Sequence, residues 1–79
     1  MSKYAPLTEW LKRQSKDSIV CTFTEIEEII NDDLPPNARK YFAGWDNTRG
    51  NVLNDAFLNA GWKTVMVDME NEKVKFQRI

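Results

Sequence analysis

LPPNARKYFAGWDNTRGNVLNDAFLNAGW, residues 34–62, carries nearly everything unusual about this chain. Proline lacks an amide hydrogen and has a fixed φ, so Pro35 and Pro36 suit the start of a helix and not its interior. A short helix is therefore expected to begin near Pro36 and run through Ala38, Arg39 and Tyr41 until Gly44 stops it. Asp46, Asn47 and Thr48 are turn and cap residues, and Val52, Leu53, Ala56, Phe57 and Ala60 recur at helical spacing. That pattern predicts a second helix from about Thr48 to Ala60, closed by Gly61. The loop between the two, residues 45–51 (WDNTRGN), sets an indole, two amides and a guanidinium beside a helix N-terminus.

Beyond this stretch, Trp62 to Met69 and Lys73 to Arg78 read as two strands around Glu70-Asn71-Glu72, a polar turn of hairpin length. Val65 and Val67 are expected to form an inner face with Val74 and Phe76, leaving Lys73, Lys75 and Gln77 on the other side. Towards the N-terminus, Leu7, Trp10 and Leu11 give an amphipathic helix from Pro6 to about Gln14. Ile19 to Phe23 alternates as a short strand does. Thr24 and Glu27 make a capping box for a helix with Ile26, Ile29 and Ile30 inward, an acidic outer face, and Asn31 at its end.

The predicted order is helix, strand, helix, helix, strand, strand, with an extra helical turn at 36–41. That is the order of a winged-helix domain, so the expected class is α+β, winged-helix-like, with a small antiparallel sheet over a single domain, 1–79. Another small α+β arrangement with the same order, in which the Pro36 helix has a structural role of its own, is the alternative.

Composition narrows the function. Seventy-nine residues make one domain, and a chain this short buries only roughly 60–65% of its unfolded surface. With 42% hydrophobic residues and nine aromatics it can still build a core. A single cysteine, Cys21, excludes an internal disulfide, and the Met-Ser-Lys start has no apolar run suited to a signal peptide or membrane span, so a cytoplasmic location is expected. Histidine is absent, which removes the commonest general base and the usual soft metal sites. No catalytic residue, metal ligand or cofactor is expected. The net charge of −1 is unevenly distributed: residues 25–33 hold five acids and no base, and the other seventy hold eleven bases against seven acids.

In a winged-helix arrangement the helix from about Thr48 to Ala60 is the major-groove reader and Glu70 to Lys73 is the wing tip. Arg49, Asn51 and Asn54 are then the base-edge candidates, since Arg and Asn pair bidentately with guanine and adenine. Asn47 lies beside them, Arg39, Lys40, Lys63 and Lys75 are candidates for phosphate, and Trp45 for stacking or packing. The same Asn and Thr residues also serve as caps, Asp55 repels phosphate, and a wing tip with Glu70 and Glu72 is acidic. The rival expectation is a protein-interaction module that presents Glu25, Glu28, Asp32 and Asp33 to a basic partner, as a phage or mobile-element inhibitor of a host factor would. The chain is expected to be a monomer or a small homodimer.

Phe23-Thr24-Glu25-Ile26-Glu27, Leu34-Pro35-Pro36-Asn37-Ala38-Arg39, Trp45-Asp46-Asn47, Gly61-Trp62 and Val74-Lys75-Phe76-Gln77-Arg78 together resemble a family of small bacterial and phage-encoded domains of unassigned function. The resemblance spans nearly the whole chain. Its middle motif more often has paired tryptophans, whereas here Gly44 precedes a single Trp45. The resemblance implies a bacterial or phage setting and carries over no activity.

Overall fold

The computed structural model describes residues 3–41, 45, 47 and 50–79. Its elements run α1 (Ala5–Lys12), β1 (Ser18–Thr22), α2 (Phe23–Ile30), α3 (Pro36–Lys40), α4 (Val52–Asn59), β2 (Trp62–Asp68) and β3 (Lys73–Arg78). The three strands form one antiparallel sheet in the order β1-β3-β2. This mixed α+β arrangement, four helices and a three-stranded sheet among the described residues, is compatible with the winged-helix-like order expected from the sequence.

The core follows from the periodicities. Leu7 and Leu11 from α1, Phe23, Ile26 and Ile30 from α2, Leu53, Ala56 and Phe57 from α4, and Cys21, Trp62, Val74 and Phe76 from the sheet form one buried cluster. Helix α1 packs against both α2 and α4, and the Thr8 hydroxyl donates to the Ala56 carbonyl at 2.8 Å. Trp62 is wholly buried; its indole N–H donates to the Leu11 carbonyl, and Arg78 lies 4.6 Å over its ring. Each large ring so buried contributes up to about 3 kcal/mol.

Three local expectations need correction. The capping box is Thr22 with Glu25, not Thr24 with Glu27: the Glu25 amide donates to Thr22 Oγ1 at 3.0 Å and the Thr22 amide to Glu25 Oε1 at 2.9 Å. The sequence TFTEIE contains two overlapping boxes, and starting two residues earlier takes Phe23 to full burial. Val65 is exposed, not inward, because the β2–β3 register shifts between Thr64 and Met66. A bulge there reverses the alternation, so Trp62 and Thr64 face inward before it and Val67 packs on the core after it. Helix α4 begins at Val52, not near Thr48.

Two of the expected helix ends are found, while α1 ends at Lys12 and α3 at Lys40, with Tyr41 already extended. Asn31 takes the left-handed conformation at φ 55° and closes α2, and Gly61, at φ 84°, turns the chain from α4 into β2, a backbone region that glycine enters without a Cβ penalty.

Candidate functional site

The stretch richest in polar chemistry is drawn largely into the fold. Asn51 is the N-cap of α4, its side-chain oxygen accepting from the Leu53 amide at 2.9 Å and the Asn54 amide at 3.3 Å. A cap oxygen turned onto its own helix is unavailable to a base edge. Asn54 is 2% exposed, on the inward side of the helix. Asn47 grips β2: its Nδ2 donates to the Thr64 carbonyl and its Oδ1 accepts from the Thr64 amide, both at 2.9 Å. The pair imitates a strand neighbour on the side of β2 away from β3. The Thr64 hydroxyl adds a bond to the Trp45 carbonyl at 2.7 Å.

Trp45 is likewise unable to stack on a nucleotide. It is 0% exposed, its indole N–H donates to the Ala38 carbonyl at 2.8 Å, and its ring stacks on Phe23 with centroids 5.2 Å apart. Packing a large ring in the core outweighs keeping it in the polar loop. Arg49, the remaining reader candidate, lies outside the described residues, as do Gly44, Asp46 and Thr48. The described outward residues of α4 include Val52 and Asn59, both exposed, and half-buried Asp55, none of them a cation.

Arg39 does not extend to phosphate either, because two carboxylates hold it. Its Nε and Nη2 donate to Glu27 and its Nη1 donates to Glu72 at 2.7 Å. Glu27 also accepts from the Leu34 amide at 2.7 Å. The Arg39 hydrogen bonds first, and the Leu34 amide second, hold the Glu27 carboxyl below its ordinary range, while Glu27 holds the guanidinium above its own. Since Glu72 belongs to the hairpin turn, Arg39 ties α2, α3 and the β2–β3 hairpin together. Glu72 itself sits at φ 55°, and its carbonyl accepts from the Phe23 amide at 2.8 Å.

The acidic segment is also partly engaged. Glu25 closes the capping box, and Asp32 lies 3.8 Å from the Lys3 ammonium and accepts from the Asp33 amide. Glu28 and Asp33 stay exposed. Cys21 is buried, which pushes its thiol up to about 12, with Glu25 adding to the effect. That makes it an inert core residue.

Unengaged charge lies elsewhere. The register pairs Val20 with Lys75 and Lys75 with Met66, so these three form a row across the outer face of the sheet. Lys73 lies one step towards the hairpin turn. Lys63, opposite Gln77, lies one step away from it. None of the three lysines forms an ion pair among the described residues. The Asp68 carboxyl at the end of β2 is held down chiefly by hydrogen bonds from Asn71, with Lys73 adding a weaker attraction. Around the lysines, Val20 is 53%, Val65 44% and Met66 54% exposed. Lys40 is exposed at the end of α3 and belongs to none of these strands.

A family model matches residues 4–79. The chain belongs to that family, DUF7662, described as a domain of unknown function. No curated protein and no solved structure matched. In this DUF7662 chain the structure thus brings together, of the expected phosphate contacts, Lys63 and Lys75. It adds Lys73, which the alternation of β3 already places on this face, together with Val20, Val65 and Met66, none of them a site candidate from the sequence. The alternation of β3 was the available signal for Lys73. For Val65 and Met66 the bulge concealed it. Among the described residues no helix is long and apolar enough to cross a membrane, and no group of three or more acids, histidines or cysteines is placed to hold a metal.

Proposed function

We propose that this DUF7662 chain is a non-catalytic, cytoplasmic protein-interaction module, and that its docking surface is the outer face of the sheet and not α4 or the acidic segment. One observation carries the reading: Val20, Val65 and Met66 are about half exposed on the face that holds Lys63, Lys73 and Lys75 without counter-ions among the described residues. Isolated surface aliphatics are ordinary, but several sharing one face make a surface that gains from being covered, provided that the partner supplies counter-charges to the lysines. Phosphodiester backbone would satisfy the lysines and leave the aliphatics against water.

What supports protein over base-read DNA is the use already made of the reader residues. Asn47, Asn51, Asn54 and Trp45 are engaged or buried, and the wing tip carries Glu70 and Glu72.

Fluorescence anisotropy with labelled random duplex and single-stranded DNA, at low and near-physiological salt, tests the class. The expected result is no saturable binding at the higher salt. Steeply salt-dependent binding that is lost in Lys63→Glu/Lys75→Glu would refute the reading and make the face a phosphate-binding surface.

A further inference from the structure

We propose that the occupant of the outer sheet face is an acidic amphipathic helix of a partner protein, an inference that rests on the protein-interaction reading above. The dimensions of the face favour a helix. Adjacent strands are about 4.8 Å apart, so β1 to β2 spans roughly 10 Å, the diameter of an α-helix with its side chains, about 10–12 Å. Helices pack on sheet faces throughout two-layer folds. The inner face of this sheet is already covered by the protein's own core, whereas on the outer face Val20, Val65 and Met66 stay exposed.

The chemistry of the face fixes the character of that helix. Val20 on β1 and Met66 on β2 flank Lys75 on β3, with the bulge residue Val65 beside Met66. An aliphatic stripe is needed over the valines and the methionine, and carboxylates are needed over the lysines. Lys73 and Lys75 are two residues apart on one strand, a step of about 6.6 Å. Carboxylates at i and i+4 on one helix face are about 6 Å apart. Lys63 pairs with Gln77 and Lys73 is four residues from Gln77 along β3, so the lysines span roughly 13 Å, which takes about nine helical residues at 1.5 Å each. Glutamates spaced four apart beside a leucine stripe over two to three turns meet both requirements.

Other occupants fit less well. No aromatic side chain lies in the rows Ser18–Gln77–Lys63, Val20–Lys75–Met66 or Thr22–Lys73–Asp68, so single-stranded nucleic acid finds no stacking platform. An anionic membrane also offers phosphates to the lysines, and the vesicle arm of the test below distinguishes it. A second copy of this chain is unsuited, because the apolar side of its acidic α2 is occupied by its own core, with Phe23, Ile26 and Ile30 buried.

The test uses the full chain, isotope-labelled, followed by amide NMR at 150 mM salt. It is titrated with a synthetic 15-residue helical peptide bearing glutamates four apart beside a leucine stripe. A scrambled peptide of identical composition, phosphatidylserine-containing vesicles and oligothymidylate are titrated in parallel. The expected result is saturable shifts confined to the strands around Val20, Lys63, Met66 and Lys75, at least tenfold tighter for the helical peptide than for its scramble. Lys75→Glu with Met66→Glu should weaken binding tenfold or more while the melting temperature stays unchanged; Lys63→Glu alone serves if the double variant does not fold. Equal binding of the scramble, no binding, or shifts centred on α2 or α4 would overturn the helix proposal. It would leave the protein-interaction reading to its own DNA test. Stronger perturbation of the same strands by vesicles or oligothymidylate would overturn both.

Discussion

Replacing Arg39 by alanine should destabilise the protein by about 2 kcal/mol, although the residue lies near the surface. Its guanidinium donates to Glu27 through two nitrogens and to Glu72 through a third. An exposed ion pair is worth about 0–1 kcal/mol, and breaking a fully buried one costs about 3–5 kcal/mol. The Arg39 side chain is 33% exposed and that of Glu27 17%, so the loss falls between those limits. For a domain of this size the melting temperature should drop by roughly 8–16 °C. Acid sensitivity gives a second readout. In the fold the Glu27 carboxyl titrates below its ordinary range, chiefly because of Arg39. The resulting stability is therefore present above the ordinary carboxylate range and is lost as pH falls through the folded value. Thermal melts followed by circular dichroism, in steps from about pH 7 to about pH 3, should show a shallower acid limb in Arg39→Ala than in the parent. Arg39→Lys should recover less than half of the loss, since an ammonium cannot fork between two carboxylates. A variant melting within about 2 °C of the parent, or one with an unchanged acid limb, would refute the idea that Arg39 fastens the β2–β3 hairpin.

Asn51→Ala should cost about 1 kcal/mol through the lost cap and leave affinity for any DNA unchanged, a combination read from paired melts and anisotropy. Thr64→Val keeps the shape of the side chain but removes the hydroxyl bond to the Trp45 carbonyl; chemical denaturation should report a loss of about 1–1.5 kcal/mol. Cys21, with its thiol up at about 12 from an ordinary 9.0, should resist an aromatic disulfide reagent at pH 8 in the folded protein and react at once in denaturant. The neutral buried thiol contributes its stability below the ordinary value and loses it as pH rises towards about 12.

The element order was legible because each segment carried its own period: Leu7 and Leu11, Ile26 and Ile30, Leu53 and Phe57 stand on single helical faces, and Val74 and Phe76 alternate with Lys73 and Lys75. The errors arose where two local solutions had equal merit. Thr22–Glu25 and Thr24–Glu27 satisfy the same capping rule, and only the burial of Phe23 separates them. Val65 and Val67 look like partners on one face until the bulge shifts the phase. Asn47, Asn51 and Asn54 could be base readers or scaffold on residue type alone, and which one holds depends on Thr64 and on the first turn of α4. Arg39 and Glu72 lie 33 positions apart, so no local pattern could join them. The lysine-bearing face was half visible, on β3 alone, until the register set β1 and β2 beside it.

The bond from the Phe23 amide to the Glu72 carbonyl has a bearing on how the chain reaches this fold. The first amide of α2 finds its partner about 50 residues further on, in the turn of the β2–β3 hairpin. Pairings between distant parts of a chain are slow to form because the intervening loop must first be closed. The start of α2 can be fully bonded only after β2 and β3 have met, so α2 cannot mature as an independent unit. Shortening the chain before Lys73 should therefore erase protection from hydrogen exchange in α2 as thoroughly as in the sheet, and the whole domain should open in a single cooperative step.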